Sequence, residues 1–197
     1  MVTKVLKVIA MVLLIATHAS AAEIRGECEV RFEVTATLHD FSGSGKCLPF
    51  SAPLERTPGG DNVLPLVAVA VPVAGMETGN GGRDKDMRKM FEADRHPDIH
   101  ASARGIDADA LRRRMREDPA GKAPLEVVVA IRGVERKVQA SAGAYKEEGN
   151  RLSFEIGFPV SLKEFMLKAP SAFGLIRVAD RVVVNASFTV EIVEDPR

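Results

Sequence analysis

The chain is short of aromatic residues, cysteines and unbalanced charge, and each shortage disfavours a class of function. Its 197 residues include no tryptophan and a single tyrosine, whereas sugar-binding modules and single-strand nucleic-acid binders usually display aromatic platforms. The 27 Lys and Arg balance the 27 Asp and Glu, so the chain has no broad basic field for nucleic acid. After residue 22, no apolar run is long enough to cross a bilayer.

The start of the chain is typical of a secretory signal peptide. A basic beginning is followed by an apolar run over 8–15 that is too short to span a membrane, and residues 19–21 (Ala-Ser-Ala) fit the small-x-small cleavage rule. An uncleaved anchor is the alternative. We predict a signal peptide over 1–22 and one domain over 23–197, soluble and periplasmic or secreted after cleavage.

The two cysteines, Cys28 and Cys47, belong to the predicted exported part. An oxidising compartment favours a disulfide between them. The simplest antiparallel register that brings them together also sets three other pairs opposite each other: Val30 and Gly45, Phe32 and Gly43, Val34 and Phe41. Glycine within a strand marks a bend or a close approach, and here we expect the two glycines to leave empty space on the inner side.

Most of the remaining chain alternates apolar and polar residues with the period of a half-buried strand. The apolar positions of these strands are Val67, Val69, Val71 and Val73; Leu125, Val127, Val129 and Ile131; Leu152, Phe154, Ile156, Phe158 and Val160; and Val182, Val184, Ala186, Phe188, Val190 and Ile192. Pro72 indicates a strand end or an edge. About eight strands with short turns predict an all-β fold, either a sandwich or a closed barrel.

Two short helices interrupt the strands. The first, over 84–91, places Met87, Met90 and Phe91 on one side. The second begins after Asp107, which is a suitable N-cap, and turns Leu111 and Met115 inward. Its outward basic residues, Arg112, Arg113, Arg114 and Arg116, indicate a solvated face; the alternative is a contact with an anionic membrane surface.

Three groups of residues could carry catalysis or a metal, and a plainer interpretation is stronger for each. His96 and His100 are four apart, but in a strand this spacing is about 13 Å, too far to share one ion. His39 and Asp40 have only Ser42 or Ser44 nearby, neither in a G-x-S-x-G turn, so His39 is expected in a hairpin connection near a cavity mouth. We predict no catalytic residue, no metal ligand and no cofactor.

The acidic residues Asp84, Asp86 and Asp94 could form a pair of catalytic carboxylates. Basic residues are interleaved with them, namely Arg83, Lys85, Arg88 and Arg95. A solvated helix face with ion pairs is therefore the stronger interpretation.

Several stretches resemble the YceI-like family. The segment "METGNGGRDKDMRKMFEADRHPDIHASA" matches its central pattern through Thr78, Asn80, Arg83-Asp84, Met87, Met90-Phe91, Asp94, Pro97 and Ile99. "FEVTATLHDFSGSG" matches its opening through Phe32, His39 and Gly43; "LEVVVAIRGVERKVQ" matches a hairpin around Gly133-Val134; and the closing segment matches through Phe165, Pro170, Gly174 and Asp180. Met90-Phe91 stands where the family usually has two aromatic residues, and 107–123 looks like an insertion whose role the sequence does not reveal.

The resemblance implies a lipocalin-like antiparallel β-barrel that holds a polyprenyl lipid or quinone tail without catalysis. The residues then expected to line the ligand are Val30, Phe32, Val34, Phe41, Val67, Val69, Val71, Met87, Met90, Phe91, Leu152, Phe154, Ile156, Phe158, Phe165 and Phe188. The alternative is a secreted interaction or stress-related module with a packed barrel, and a hydrolase is a distant third. Two copies could also pair through the barrel mouth or an edge near Pro72.

Overall fold

The computed structural model describes residues 22–37, 39–169 and 178–194, which form one antiparallel barrel. Residues 1–21 of the predicted signal peptide and the family-like positions Pro170 and Gly174 lie outside the described residues. The strands are β1 (Ala22–Ala36), β2 (Phe41–Lys46), β3 (Phe50–Arg56), β4 (Asn62–Pro72), β5 (Asp98–Asp107), β6 (Ala123–Ile131), β7 (Val134–Glu148), β8 (Arg151–Ser161) and β9 (Val178–Glu194). The helices are α1 (Gly81–Met90) and α2 (Ala108–Glu117), with a 3-10 turn over Val73–Gly75.

The nine strands occupy eight positions in the wall. Along one edge, β1 pairs with β9 from Ala22 to Ala36. Along its other edge, β1 pairs first with β3 and then with β2, so β2 and β3 follow one another in a single position. The pairing of β1 with β9 closes the barrel and leaves no open sheet edge there. Closure confirms the predicted barrel, and the strand β3 was not predicted.

The predicted pairing between β1 and β2 is confirmed. Val30 lies opposite Gly45 and Phe32 opposite Gly43, and Cys28 forms a disulfide with Cys47 at a Cα separation of 5.3 Å. The expected empty space beside the glycines was wrong. A side chain at Gly43 would collide with the ring of Phe32, and one at Gly45 would come within 3.0 Å of Met76.

Capping residues set where both helices begin. Asn80 accepts a hydrogen bond from the backbone N–H of Arg83 at 3.0 Å, so α1 begins three residues earlier than predicted. Asp107 accepts one from Ala110 at 2.7 Å, which confirms it as the N-cap of α2. Within the described residues, no helix is both long and apolar enough to span a bilayer.

Candidate functional site

The alternation of each strand turns one row of apolar side chains into the barrel, and these rows do not fill it. A cavity of about 590 Å³ lies at the end of the barrel that α1 covers. We call it the α1-side chamber. Its wall contains residues of β1, β4, β5, β6, β8 and β9, and α1 adds Met87 and Met90. Its size falls within the usual range for small-molecule pockets, roughly 300 to 1,000 Å³.

The polar residues of the α1-side chamber gather near the start of α1. His39, Asn80 and Asp86 line the chamber and are also exposed, so they mark where it reaches solvent. Arg83 lies between this mouth and the wall, with its guanidinium 4.1 Å from the centre of the Phe41 ring. The arrangement joins an apolar interior to a polar rim.

A second cavity of about 180 Å³ lies at the opposite end, beneath α2. We call it the α2-side chamber. Leu111 and Met115 of α2 face it, as predicted from their spacing, and Ile106 and Leu125 contribute to its wall. Met115 is buried against Ala123 and Ala142, so α2 is packed onto the barrel rather than held at its edge.

A layer of side chains separates the two chambers. Five residues line both of them: Val69, Ala101, Val127, Ile156 and Phe188. The Phe188 ring stacks on Phe154 with centroids 5.1 Å apart and planes inclined by 10°, and it meets Phe50 edge-on at 6.1 Å. The lumen therefore consists of two apolar compartments with an aromatic partition between them.

Comparison with known proteins identifies the family. The family model of the YceI-like domain matches residues 14–190. The chain belongs to the YceI-like family. No curated protein sequence matches it.

Solved structures show the same fold as this YceI-like barrel. The crystal structure of Burkholderia cenocepacia BcnA is similar with a TM-score of 0.59 and 15% identity, over 82% of this chain and 95% of that one. A polyisoprenoid-binding domain from Saccharophagus degradans, implicated in plant cell wall breakdown, has a TM-score of 0.59 and 12% identity, over 88% and 99%. A Campylobacter jejuni YCEI protein has a TM-score of 0.50 and 15% identity, over 74% and 81%.

The residues predicted to line a ligand divide between the two compartments of this YceI-like barrel. Those on the α1-side chamber are Val30, Phe32, Val34, Phe41, Val69, Val71, Met87, Met90, Phe91, Ile156, Phe158 and Phe188. Val67, Leu152 and Phe154 line the α2-side chamber instead. Phe165 lines neither chamber and is packed in the core, with 1% of the residue exposed.

Several lining residues were missing from the prediction. Val127, Val129 and Ile131 of β6 face the α1-side chamber, and their alternation in the sequence was a sufficient signal. Leu162 and Leu167 also line it, but the segment after β8 has no strand or helix periodicity. This segment is held by Asp180, whose carboxylate accepts hydrogen bonds from the Ser161 hydroxyl at 2.7 Å and the Lys163 N–H at 2.8 Å.

The residues considered for catalysis or metal binding are not brought together. Within the described ranges, no cluster of three His, Cys, Asp or Glu could hold an ion. His100 is exposed on β5, and His39 lies in the connection between β1 and β2 at the chamber mouth, as predicted. The Asp40 carboxylate accepts a hydrogen bond from the N–H of Ala36 at 3.1 Å, which shapes this connection.

The prediction of a solvated, ion-paired face was wrong for Asp84. Its side chain is buried, and one carboxylate oxygen accepts hydrogen bonds from the N–H of Thr78 at 2.8 Å and the Thr78 hydroxyl at 2.6 Å. The carboxylate therefore ties α1 to the segment that leads out of β4. The guanidinium of the neighbouring Arg83 lies over the Phe41 ring and not against the Asp84 carboxylate.

The C-terminal end of α1 is held by an ion pair between Arg132 and Glu92. Arg132 lies in the turn between β6 and β7, and its side chain is 27% exposed. Arg95 also pairs with Glu92, at 3.1 Å, but its own side chain is 78% exposed. Met87 and Phe91, buried on the chamber side, complete the contact of α1 with the barrel.

The basic face of α2 is exposed as predicted at Arg113, Arg114 and Arg116, whereas Arg112 makes contacts with the barrel. Arg112, half-buried, pairs with Asp109 at 2.5 Å and with Glu147 at 3.6 Å, and Arg116 pairs with Glu147 at 3.1 Å. The backbone N–H of Asn62 donates to the Asp109 carboxylate at 2.8 Å, and this bond, aided by Arg112, lowers the pKa of Asp109. Burial and a hydrogen bond to Glu147 raise the pKa of Tyr145.

Proposed function

We propose that this YceI-like barrel binds a long isoprenoid-type lipid, a polyprenyl chain or quinone tail, with the chain in the α1-side chamber and without catalysis. The observation that supports this most is the chamber itself, an unfilled apolar interior of about 590 Å³ that ends in a polar rim. A hydrocarbon chain gains about 25 cal/mol for each Å² removed from water. The polar rim would leave a head group near solvent.

The alternative of an interaction module without a ligand predicts a packed lumen. Val30, Val69 and Ile99 are only partly buried although they point into the barrel, because they face the chamber. A native core is packed to the density of organic crystals and contains few voids larger than a water molecule. The unfilled lumen therefore favours a binding protein.

An exported location agrees with the proposal. The disulfide between Cys28 and Cys47 suits an oxidising compartment. We propose that residues 1–22 are removed on export and that the barrel over 23–197 works in the periplasm or outside the cell.

The first test is organic extraction of the purified protein followed by mass spectrometry. We expect an isoprenoid lipid at about one molecule per barrel. If nothing is extracted, and supplied quinone or polyprenyl alcohol is not taken up, the proposal is wrong and the protein partner of a packed module should be sought.

Matched substitutions then locate the site. Val30 lines only the α1-side chamber and Val67 only the α2-side chamber. Val30→Phe should weaken uptake of a polyprenyl alcohol at least about tenfold, the equivalent of about 1.4 kcal/mol. Val67→Phe adds the same volume on the other side of the partition and should leave uptake unchanged. Equal losses in both variants would place the chain elsewhere.

A further inference from the structure

The aromatic partition is built from four neighbouring strands. Phe50 of β3 lies opposite Gly26 of β1, and Cys28, two residues further along β1, lies opposite Phe188 of β9. Phe188 in turn lies opposite Phe154 of β8. Three rings thus enter the lumen at one level, from one continuous half of the barrel wall.

Gly26 makes room for this layer. A side-chain carbon at Gly26 would come within 2.8 Å of the tip of the Phe50 ring and 2.6 Å of Val190. Both distances are shorter than real side chains allow, so a larger residue would displace Phe50. The Phe50 ring can reach Phe188 because β1 has no side chain between them.

The opposite half of the wall, from β4 to β7, has one aromatic ring among the described residues, that of Tyr145, which lines only the α2-side chamber. The residues of this half that touch both chambers are Val69, Ala101 and Val127. The Phe188 ring is the one aromatic side chain among the described residues that lines both chambers. The separation between the two compartments therefore depends on Phe188, supported by the stacked Phe154 and the edge of Phe50.

We propose that Phe188 sets the longest chain that the barrel holds, an inference that rests on the proposed lipid-binding function. A chain that enters past α1 fills the α1-side chamber and ends against the stacked rings of Phe188 and Phe154. The α2-side chamber behind them adds about 180 Å³, roughly a third of the first compartment. Removing the Phe188 ring joins the two and admits a longer chain.

The size of the α2-side chamber suits the end of a longer chain rather than an independent lipid site. It is smaller than the usual range of ligand pockets, roughly 300 to 1,000 Å³. It is larger than the engineered apolar cavity of about 150 Å³ that stays dry and binds benzene or xenon in another protein. Such a compartment suits a few carbon atoms of a chain end and no polar group.

The test measures dissociation constants for polyprenyl alcohols that differ by one isoprene unit, from farnesol upward. For the unmodified protein, each added unit should tighten binding by about tenfold or more until the chamber is full, after which the affinity stays level. In Phe188→Ala the affinity should stop rising only at a chain at least one isoprene unit longer. If it stops rising at the same chain length as in the unmodified protein, the inference is overturned.

Further variants guard against a folding defect and a simple gain in volume. If Phe188→Ala does not fold, Phe154→Ala takes its place. It removes the stacking partner of Phe188 and should also lengthen the chain at which the affinity stops rising. Phe158, which lies four residues further along the same face of β8, lines only the α1-side chamber, so Phe158→Ala enlarges that chamber alone. In a double variant with Phe188→Ala, Val67→Phe should restore the chain length at which the affinity stops rising. Combined with Phe158→Ala, it should change nothing. If the first double variant keeps the longer limit, the inference is contradicted.

A measurement without lipid separates this inference from the proposed function. Crystals pressurised with xenon should show xenon in the α2-side chamber of the unmodified protein and none there in Val67→Phe. An α2-side chamber without xenon in the unmodified protein would mean that no space lies behind the partition, and would overturn the length limit alone. If the unmodified protein binds no polyprenyl alcohol, the proposed function fails and the length limit fails with it.

Discussion

The two ends of the barrel are each covered by a ten-residue helix, but the helices are attached differently. α1 is held at its start by the buried Asp84 and just beyond its end by Glu92, and exposed residues beside it line the chamber. α2 is held by linked ion pairs through Asp109, Arg112 and Glu147, over a smaller compartment. The α1 end therefore has a polar rim that reaches solvent, whereas the helix at the α2 end is fixed to the barrel by ion pairs.

The largest expected effect comes from the covalent link in the wall of the α1-side chamber. Replacing both Cys28 and Cys47 by alanine should lower the free energy of unfolding by about 3 kcal/mol, because the bond closes a loop whose ends are 19 residues apart. Urea unfolding monitored by circular dichroism measures this. Reducing the unmodified protein should give a similar loss; a loss on reduction but none in the double variant would show that alanine packing compensates.

The attachment at the start of α1 should give the next largest effect. Asp84→Ala leaves the N–H and hydroxyl of Thr78 without their acceptor, and should cost about 2 kcal/mol of unfolding free energy. Asp86→Ala changes an exposed residue of the same helix and should stay within about 0.5 kcal/mol. Similar values for the two variants in urea unfolding would contradict the role assigned to Asp84.

The attachment of α2 to the barrel should depend on pH. Because the pKa of Asp109 is lowered in the fold, its contribution to stability is full above the ordinary carboxyl value, near 3.9, and is lost as the pH falls through the lowered value. Asp109→Asn should therefore cost about 1 kcal/mol at neutral pH and almost nothing in strongly acid solution.

Urea unfolding of both proteins at neutral and acid pH measures this difference. Asp61→Asn is the control, because Asp61 pairs with Arg113 only at 3.9 Å and both side chains are about half exposed. It should change stability by less than about 0.5 kcal/mol at either pH. A cost for Asp109→Asn that is the same at both pH values would show that the charge of Asp109 does not matter for the attachment of α2.

Much of the barrel could be predicted because alternation along a strand is a local property. Period two identified the inward rows of β1, β4, β6, β8 and β9, and the positions of two cysteines fixed the register between β1 and β2. Asp107 could be predicted as the N-cap of α2 for the same reason, because capping also depends on residues close in sequence. The strand β3 was missed because Pro49 and Pro53 interrupt its pattern.

The division of the lumen could not be predicted in this way. Phe154 and Phe158 occupy equivalent places in the alternation of β8, yet one faces the α2-side chamber and the other the α1-side chamber. The difference depends on how far along the barrel axis each position lies, which is set by the pairing of all strands together. The burial of Asp84 was missed for a related reason, since its partner Thr78 lies outside the helix.

The smallest effect on stability is expected at Arg132. The same residue gives the sharpest test of lipid exchange past the end of α1. Arg132→Gln removes the less exposed of two partners of Glu92 and should change the unfolding free energy by less than about 1 kcal/mol. It should nevertheless release bound polyprenyl alcohol a few times faster, because the end of α1 that holds Phe91 over the chamber is freed. Arg95→Gln removes the exposed partner of the same carboxylate and should leave release unchanged. Stopped-flow displacement of a fluorescent polyprenyl analogue measures both rates, and equal acceleration in the two variants would mean that the charge on Glu92, and not the anchoring of α1, controls exchange.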